Sequence, residues 1–237
     1  MYIINIMDFN EPETKKVIGV QFSIMSPEEI RNRSVVEVTK HETFDKEVPY
    51  IKGLFDIRMG TTDMDKVCGT CGQNNIKCPG HFGHIELARP IYNYQFVKDN
   101  TIVKILKCVC FRCSKLLVNK DDVTIQNIFK KPNKQRWKEI YNVCQKVQRC
   151  GQENNDGCGC LQPTYKQEGM DGIKTTWKNG DDKVEQYLKV EEVKEIFEKI
   201  TDEDCKYMGF SELWCRPEWL ILTALPVPPP SVRPSVK

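Results

Sequence analysis

The 237-residue sequence lacks any long apolar run. Its longest, LILTALPV from Leu220 to Val227, falls far below the ~18 residues a membrane-spanning helix needs. It also lacks charge of one sign: 35 lysines and arginines face 33 acids, for a net charge of +2. A nucleic-acid surface would therefore have to be a local basic patch, with acidic surface elsewhere. The first residues, MYIINIMDFNEPETKK, have neither the basic start nor the apolar core of a secretory leader, so a reducing compartment is expected. A phosphate-binding loop, a Gly-x-Ser-x-Gly elbow, a His-Glu-x-x-His helix and a dinucleotide fingerprint are all absent. So is any repeat of about 20–50 residues, which sets aside solenoids and propellers.

Cysteine, by contrast, is plentiful. Twelve cysteines in a reducing compartment argue for metal ligation or buried thiols, not disulfides. Three of them crowd with two histidines into CGTCGQNNIKCPGHFGH, Cys68 to His84, a stretch with almost nothing apolar to bury. Its pattern, Cys68-x2-Cys71-x6-Cys78-x2-His81, places two short pairs across a small loop, as a tetrahedral structural zinc site requires. Binding a structural zinc contributes about 10 kcal/mol or more, enough to hold such a loop without a core. Gly69, Gly72, Gly80 and Gly83 permit tight turns, and Pro79 stiffens the second. His81 is preferred over His84 because it follows Cys78 at the spacing of a Cys-x-x-Cys turn; His84 is read as a supporting or packing residue.

A second cluster starts at Cys110-x2-Cys113. Its partners must come from Cys144, Cys150, Cys158 and Cys160. Cys144 falls on the apolar face of a predicted helix and reads as core, and Cys108 as a packing residue. Cys150 with Cys158 is the plausible closing pair, with Cys160 rivalling Cys158. Four protein ligands at each site leave no open position, which points to structural and not catalytic metal. A thioredoxin-like redox reading needs a strand–motif–helix unit, and none is visible. Asp63 and Asp65 read as turn and solvent residues beside the first loop.

Around these clusters the chain reads as short mixed elements. VIGVQFSIM (17–25) has the alternation of a strand. Ser26, Pro27 and Glu29 open a short helix with a capping box. SVVEV (34–38) returns to extended backbone, and GLFDIRMGTTD to loop and turn. HIELARPIYNYQF reads as strand; TIVKILKCVCFRCSKLLV leaves helix and strand open. Trp137, Ile140, Tyr141, Cys144 and Val147 recur at helical spacing. Lys130, Lys131, Lys134, Arg136, Lys138, Lys146 and Arg149 lie opposite, a face suited equally to phosphate or to solvent. TTWKNGDDKVEQYLKV predicts a hairpin turning at Asn179-Gly180. Val190, Val193, Phe197 and Ile200 share a helical face, and Thr201 and Gly209 bracket the next helix. The proline-dense end, LPVPPPSVRPSVK, should be extended and unable to close a compact domain by itself.

Taken in order, these motifs resemble the N-terminal region of the largest subunit of multisubunit DNA-directed RNA polymerase, nearest the eukaryotic polymerase II type. CGTCGQNNIKCPGHFGHIELARPIYN is similar to the family's first zinc motif, and GLFDIRMGTTD to the segment before it. CVCFRCSKLLV is similar to its second Cys-x-x-Cys region, and GCGCLQPTYKQEG to its Gly-Cys-Gly-x-x-Gln-Pro stretch. EEVKEIFEKI and MGFSELWCRPEWLILTALPVPPPSVRPSV resemble the end of its clamp segment. The resemblance implies an α+β fold, an irregular clamp core and clamp head stabilised by two structural Zn²⁺. The implied ligands are Cys68, Cys71, Cys78 and His81 for the first, and Cys110, Cys113, Cys150 and Cys158 for the second, deciding Cys158 over Cys160. It implies a division into residues 1–100 (clamp core with the first zinc loop), 101–200 (clamp head) and 201–237 (return to the core and exit). The expected role is the clamp that closes over template DNA and the RNA–DNA hybrid, with Lys130, Lys131, Lys134 and Arg136 as nucleic-acid contacts. Expected partners are the rest of the largest subunit, the second-largest and smaller subunits, and nucleic acid; no membrane is involved. The family's Asn-Ala-Asp-Phe-Asp-Gly-Asp loop, which holds catalytic Mg²⁺, does not occur in this sequence. The chain is accordingly expected to be a non-catalytic piece of a larger nucleotidyltransferase, in the nucleus, or in host cytoplasm or virion if the Asn- and Lys-rich wording marks a viral genome. The alternative is a free-standing zinc module binding nucleic acid or protein.

Overall fold

The computed structural model describes residues 18–20, 22–152, 157–169, 172–179 and 182–233. The architecture is α+β, with short helices around three small sheets. Among the described residues no helix is long and apolar enough to cross a membrane.

Helix α1 (Pro27–Arg33) starts with half of the expected capping box: Ser26 Oγ accepts from the Glu29 amide at 3.0 Å, and Pro27 occupies the first turn. The carboxylate of Glu29 pairs with Arg33 one turn on. The predicted strand over 17–25 does not form among the described residues; 18–20 and 22–26 are irregular. Ile18 and Val20 are largely exposed, and a backbone bond runs from the Ile24 amide to the Trp214 carbonyl, 2.9 Å. Apolar alternation without a neighbouring strand does not make a sheet.

Strand β1 (Phe44–Asp45) and β2 (Val48–Pro49) form a minimal hairpin, and Ile57–Met59 is a 3₁₀ turn. The long strand β3 (Gly83–Tyr92) pairs antiparallel with β7 (Ile221–Val227), from Gly83 opposite Val227 to Tyr92 opposite Ile221. Residues 35–38 run beside the start of β3, bonded through the Val35 and Val38 amides. Val36, Val38, Met59 and Val227 form a small buried cluster there. The proline-rich stretch thus folds back onto residues 35–38 and β3, closing this core with Val227. It reaches that core only through the pairing of β7 with β3, a partner far upstream in sequence.

The larger core lies between the strand pair and a set of helices: α2 (Tyr94–Lys98), α3 (Thr101–Leu106), α4 (Val123–Phe129), α5 (Asn133–Cys144), α6 (Val190–Glu198) and α7 (Asp202–Met208). The open helix-or-strand choice for 101–106 resolves to helix, with Ile102, Val103, Ile105 and Leu106 all buried. Ile140 and Cys144 of α5 and Val193 and Phe197 of α6 are fully buried. Full burial of each large aliphatic or aromatic side chain contributes about 1.5–3 kcal/mol. Thr201 Oγ1 caps α7 through the Asp204 amide (3.2 Å), and Gly209, at φ 84°, ends it.

Strands β4 (Thr164–Glu168), β5 (Gly172–Asn179) and β6 (Asp182–Leu188) form an antiparallel sheet. Asn179 pairs with Asp182, as the hairpin reading requires; turn residues 180 and 181 lie outside the described residues.

Two candidate metal centres

Both cysteine clusters converge. The donor atoms of Cys68, Cys71, Cys78 and His81 lie within 4.8 Å of one another, and so do those of Cys110, Cys113, Cys150 and Cys158. The Cys71 and Cys78 sulfurs are 3.6 Å apart, Cys110 and Cys158 3.5 Å, and Cys113 and Cys150 3.7 Å. Thiolates around one zinc, each at about 2.3 Å, must sit about 3.8 Å apart. The sulfurs are thus already placed at nearly the edge length of that tetrahedron.

The leading turn of each cluster has the same backbone. The Cys68 amide donates to the Gln73 carbonyl (2.8 Å), the Gly72 amide to the Cys68 carbonyl (2.9 Å), and the Thr70 amide to the Cys68 sulfur (3.4 Å). The Cys110 amide donates to Lys115 (2.8 Å), the Ser114 amide to Cys110 (2.9 Å), and the Arg112 amide to the Cys110 sulfur (3.4 Å). Both turns need a left-handed residue four places after the first cysteine. Gly72 supplies it at φ 66°, whereas the second turn uses Ser114 at φ 58°.

The first cradle has little else to hold it. Between residues 61 and 80 only Cys68 is buried. The 3₁₀ turn braces it from below: the Gly69 amide reaches the Ile57 carbonyl, Thr70 Oγ1 the Arg58 carbonyl (2.7 Å), and the His81 amide the Met59 carbonyl (3.0 Å). That turn is fixed by Asp56, whose buried carboxylate accepts from the Lys52 and Arg58 amides and from the Arg58 guanidinium. Burial opposes the charge on Asp56, but these donors outweigh it and hold its pKa below the usual carboxylate value.

The two histidines separate cleanly. His81 Nε2 is buried and has no hydrogen-bond partner among the described residues, a state that is costly unless a metal takes the lone pair. The His84 ring is occupied: its Nδ1 lies 2.7 Å from Ser34 Oγ, and its Nε2 is 3.5 Å from Glu86. His84 therefore ties the 34–38 segment to β3.

The second cradle sits in the larger core, where Cys110 and Cys150 are buried. The expectation of a coreless region held by metal alone fits residues 61–80 and not this one. The Cys150 amide donates to the Cys160 carbonyl (2.9 Å) and the Gly159 amide to Cys150 (3.1 Å), bringing Cys158 over the site. Cys160 turns its thiol to the Leu161 carbonyl, outside the candidate group. Cys144 and Cys108 are buried core residues, as read from sequence.

Gln162 escaped the sequence reading. Its amide nitrogen donates to the Cys110 sulfur (3.3 Å) and the Cys160 carbonyl (2.9 Å), while its oxygen accepts from the Phe111 amide (2.9 Å). The signal was its place in Gly-Cys-Gly-x-x-Gln-Pro, just past the last candidate ligand. Burial would raise the Cys110 thiol, yet the Cys113 and Arg112 amides and Gln162 outweigh it and bring it down to about 7. Phe111 packs edge-on against Trp177 of β5, ring centres 5.1 Å apart, which joins the cradle to the sheet.

The basic residues divide. Lys131 is paired with Glu139 (2.7 Å). The Arg136 guanidinium donates to the Lys206 and Lys131 carbonyls and lies over the Phe129 ring, so it stitches α5 to α7 and α4. Lys130 and Lys134 are exposed. Asp63 pairs with Lys66, not with either thiol cluster.

Two sulfur-rich cradles of matching backbone, set in an α+β body, define a protein whose irregular loops carry two groups of residues that could each hold a metal ion. Residues 14–237 match the family described as RNA polymerase Rpb1, domain 1, and the chain belongs to that family. It is 37% identical over 249 aligned residues to DNA-directed RNA polymerase II subunit RPB1 of Euplotoides octocarinatus, an alignment covering all of this chain and 50% of that relative. The chain therefore spans about half the length of the curated relative it matches.

Proposed function

We propose that the chain is the N-terminal clamp part of the largest subunit of a DNA-dependent RNA polymerase, and that it works as a rigid arm closing over template DNA and the RNA–DNA hybrid. The observation that carries this is the pair of preformed cradles in a chain belonging to the polymerase family along nearly its whole length. The residues fit zinc: seven thiols and one imidazole at tetrahedral spacing, with the His81 nitrogen otherwise orphaned. Cys68, Cys71, Cys78 and His81 would hold one Zn²⁺, and Cys110, Cys113, Cys150 and Cys158 the other. When bound, zinc supplies cross-links and no reaction chemistry, because each site has four protein ligands.

The remaining work belongs to the chain. The β3–β7 pair and the 3₁₀ turn fix the first loop, and the helical core fixes the second. An arm stiff at both ends can swing as a body instead of deforming. Residues 1–100 and 201–237 would form the clamp core and 101–200 the head. Lys130 and Lys134 are the exposed members of the expected four-residue contact set and have no side-chain partner among the described residues; Lys131 and Arg136 would act by holding α5 in place. Nucleotide addition would reside elsewhere in the enzyme, with Mg²⁺ bound outside this chain. The partners would be the rest of the largest subunit, the second-largest and smaller subunits, and nucleic acid. The location would be the nucleus, or host cytoplasm and virion for a viral enzyme.

The test is co-expression with the remaining polymerase subunits. The chain should co-purify with the second-largest subunit, and Cys71→Ser or Cys113→Ser should shorten DNA retention under template challenge while leaving the nucleotide-addition rate of retained complexes unchanged. A chain that does not enter the assembly, or ligand variants that retain DNA normally, would refute the proposal and favour a free-standing zinc module.

A further inference from the structure

The second cradle carries a fifth thiol. Cys160 lies two residues past Cys158, across Gly159, and its sulfur turns to the Leu161 carbonyl at 3.3 Å, away from the other four. The first cradle has no such neighbour: after Cys78 the next cysteine is Cys108, a buried core residue.

The four sulfurs of the second cradle are not equivalent. Cys110 and Cys150 are buried and Cys113 is half-buried, whereas Cys158 is exposed, alone among the twelve cysteines. The Cys110 sulfur accepts from the Arg112 amide (3.4 Å) and from Gln162 Nε2 (3.3 Å). Among the described residues no N–H group donates to the Cys158 sulfur, whose near contact is the Cys110 sulfur at 3.5 Å. Donors that stabilise a thiolate also blunt its attack, and burial keeps an oxidant away. Cys158 is the sulfur left open on both counts.

The backbone suits a bridge from Cys158 to Cys160. Residues two apart span at most about 7 Å between α-carbons. A bend brings them into the roughly 4.4–6.8 Å that a disulfide accepts. Gly159 makes that bend at φ 71°, and a β-carbon there would meet nothing within 4 Å, so the turn has room to tighten. Cys160 is the fixed side, because its carbonyl accepts from the Cys150 amide (2.9 Å) and from Gln162 Nε2 (2.9 Å).

We infer that Cys158 is an oxidation site for hydroperoxides and Cys160 its resolving thiol, so that a Cys158–Cys160 disulfide opens the second cradle while the first keeps its metal. This rests on the zinc reading given above. The Cys158 thiolate attacks one peroxide oxygen: an S–O bond forms, the O–O bond breaks and hydroxide leaves, giving a sulfenic acid. The Cys160 thiol then attacks that sulfur. The S–S bond forms, the S–O bond breaks, and the sulfenic hydroxyl leaves with the Cys160 proton as water. Two electrons pass from the sulfurs to the peroxide. Cys110, Cys113 and Cys150 are still committed to metal at that moment, so Cys160 is the uncommitted thiol within reach. Three ligands are then left at a site built for four.

The test treats the full zinc-loaded chain with hydrogen peroxide, starting at one equivalent. It reads released zinc with a chromophoric indicator, intact mass, and disulfides by peptide mapping. One zinc per chain should leave, the mass should fall by two hydrogens, and the bridge should join Cys158 to Cys160. A dithiol with added zinc should restore the second metal. Cys160→Ser leaves all eight ligands in place and should start with two zinc and lose one to peroxide. Its Cys158 should then carry sulfinic acid, which the dithiol does not reverse, so recovery drops from nearly full to none. A bridge to Cys110 or Cys113, loss of the first metal as readily as the second, or recovery of Cys160→Ser like the parent overturns the inference. A chain that holds two zinc and resists peroxide overturns it and leaves the zinc reading standing. A chain that never held a second zinc overturns both.

Discussion

Gly80→Ala tests whether the proline-rich end secures the first cradle. Gly80 has φ 81°, and its amide donates to the Cys78 sulfur at 3.4 Å. A β-carbon there would lie 2.6 Å from Pro229 Cγ and 2.7 Å from Pro229 Cβ. The left-handed conformation costs an L-residue about 1–2 kcal/mol. Overlap with a rigid ring costs about 1–3 kcal/mol more. The sum, about 2–5 kcal/mol, weakens the closed cradle by roughly 30-fold to a few thousand-fold. Competition with a chromophoric chelator should show that loss at one metal per chain, while the second, in a separate core, keeps its affinity. Adding Pro229→Gly should recover the overlap share and leave the backbone share, a coupling that a double-mutant cycle measures. Unchanged affinity at the first site, or equal loss at both, would refute the claim that Pro229 closes it.

Four further outcomes follow from the same geometry. Metal analysis should give two zinc per chain, with one lost in His81→Ala and none in His84→Ala, which instead should speed amide exchange over residues 34–38. Cys150→Ser should release one zinc and raise exchange over 145–162 while α3 and α6 stay protected, because their apolar packing does not depend on metal; global unfolding would contradict this. Ser114→Gly should raise stability by about 1–2 kcal/mol in chemical denaturation, since it relieves a left-handed serine and removes a buried hydroxyl with no partner among the described residues. The pKa of Asp56 is lowered in the fold, so its contribution is present above the unfolded carboxylate value near about 3.9 and drains away as pH falls through the folded one; Asp56→Asn should flatten the acid limb of the stability profile.

The two candidate ligand groups were legible because tetrahedral metal chemistry imposes short spacings, and Cys-x-x-Cys survives any surrounding fold. Helix ends were legible for the same local reason: Ser26, Thr201 and Gly209 act within one turn of themselves. What spacing left open was settled by contacts from afar. Cys158 and Cys160 differ by the bond from the Cys150 amide to the Cys160 carbonyl, which turns one sulfur inward and the other away. The helix over 101–106 is buried along most of its length, which erases the periodicity that would reveal it. The strand expected at 17–25 failed because alternation records a preference and not a partner.

The union of β3 with β7 lies beyond any local signal, and it changes how the loops must be viewed. The first cradle joins two distant parts of the chain: Met59 and Val36 from before it, Val227 and Pro229 from after everything else. Such contacts carry a large loop-closure cost, which grows only slowly with length but must be met before any packing is gained. Metal can meet it locally, by ordering residues 68–81 into a surface on which Pro229 can land. The second cradle closes a shorter excursion and lies in a core that already buries its cysteines. Metal at the first site should therefore govern whether residues 35–92 and 221–231 come together, and metal at the second should govern only the shape of one loop. Removing zinc in steps should separate the β3–β7 union from the helical core; simultaneous loss of both would show that the body is a single cooperative unit.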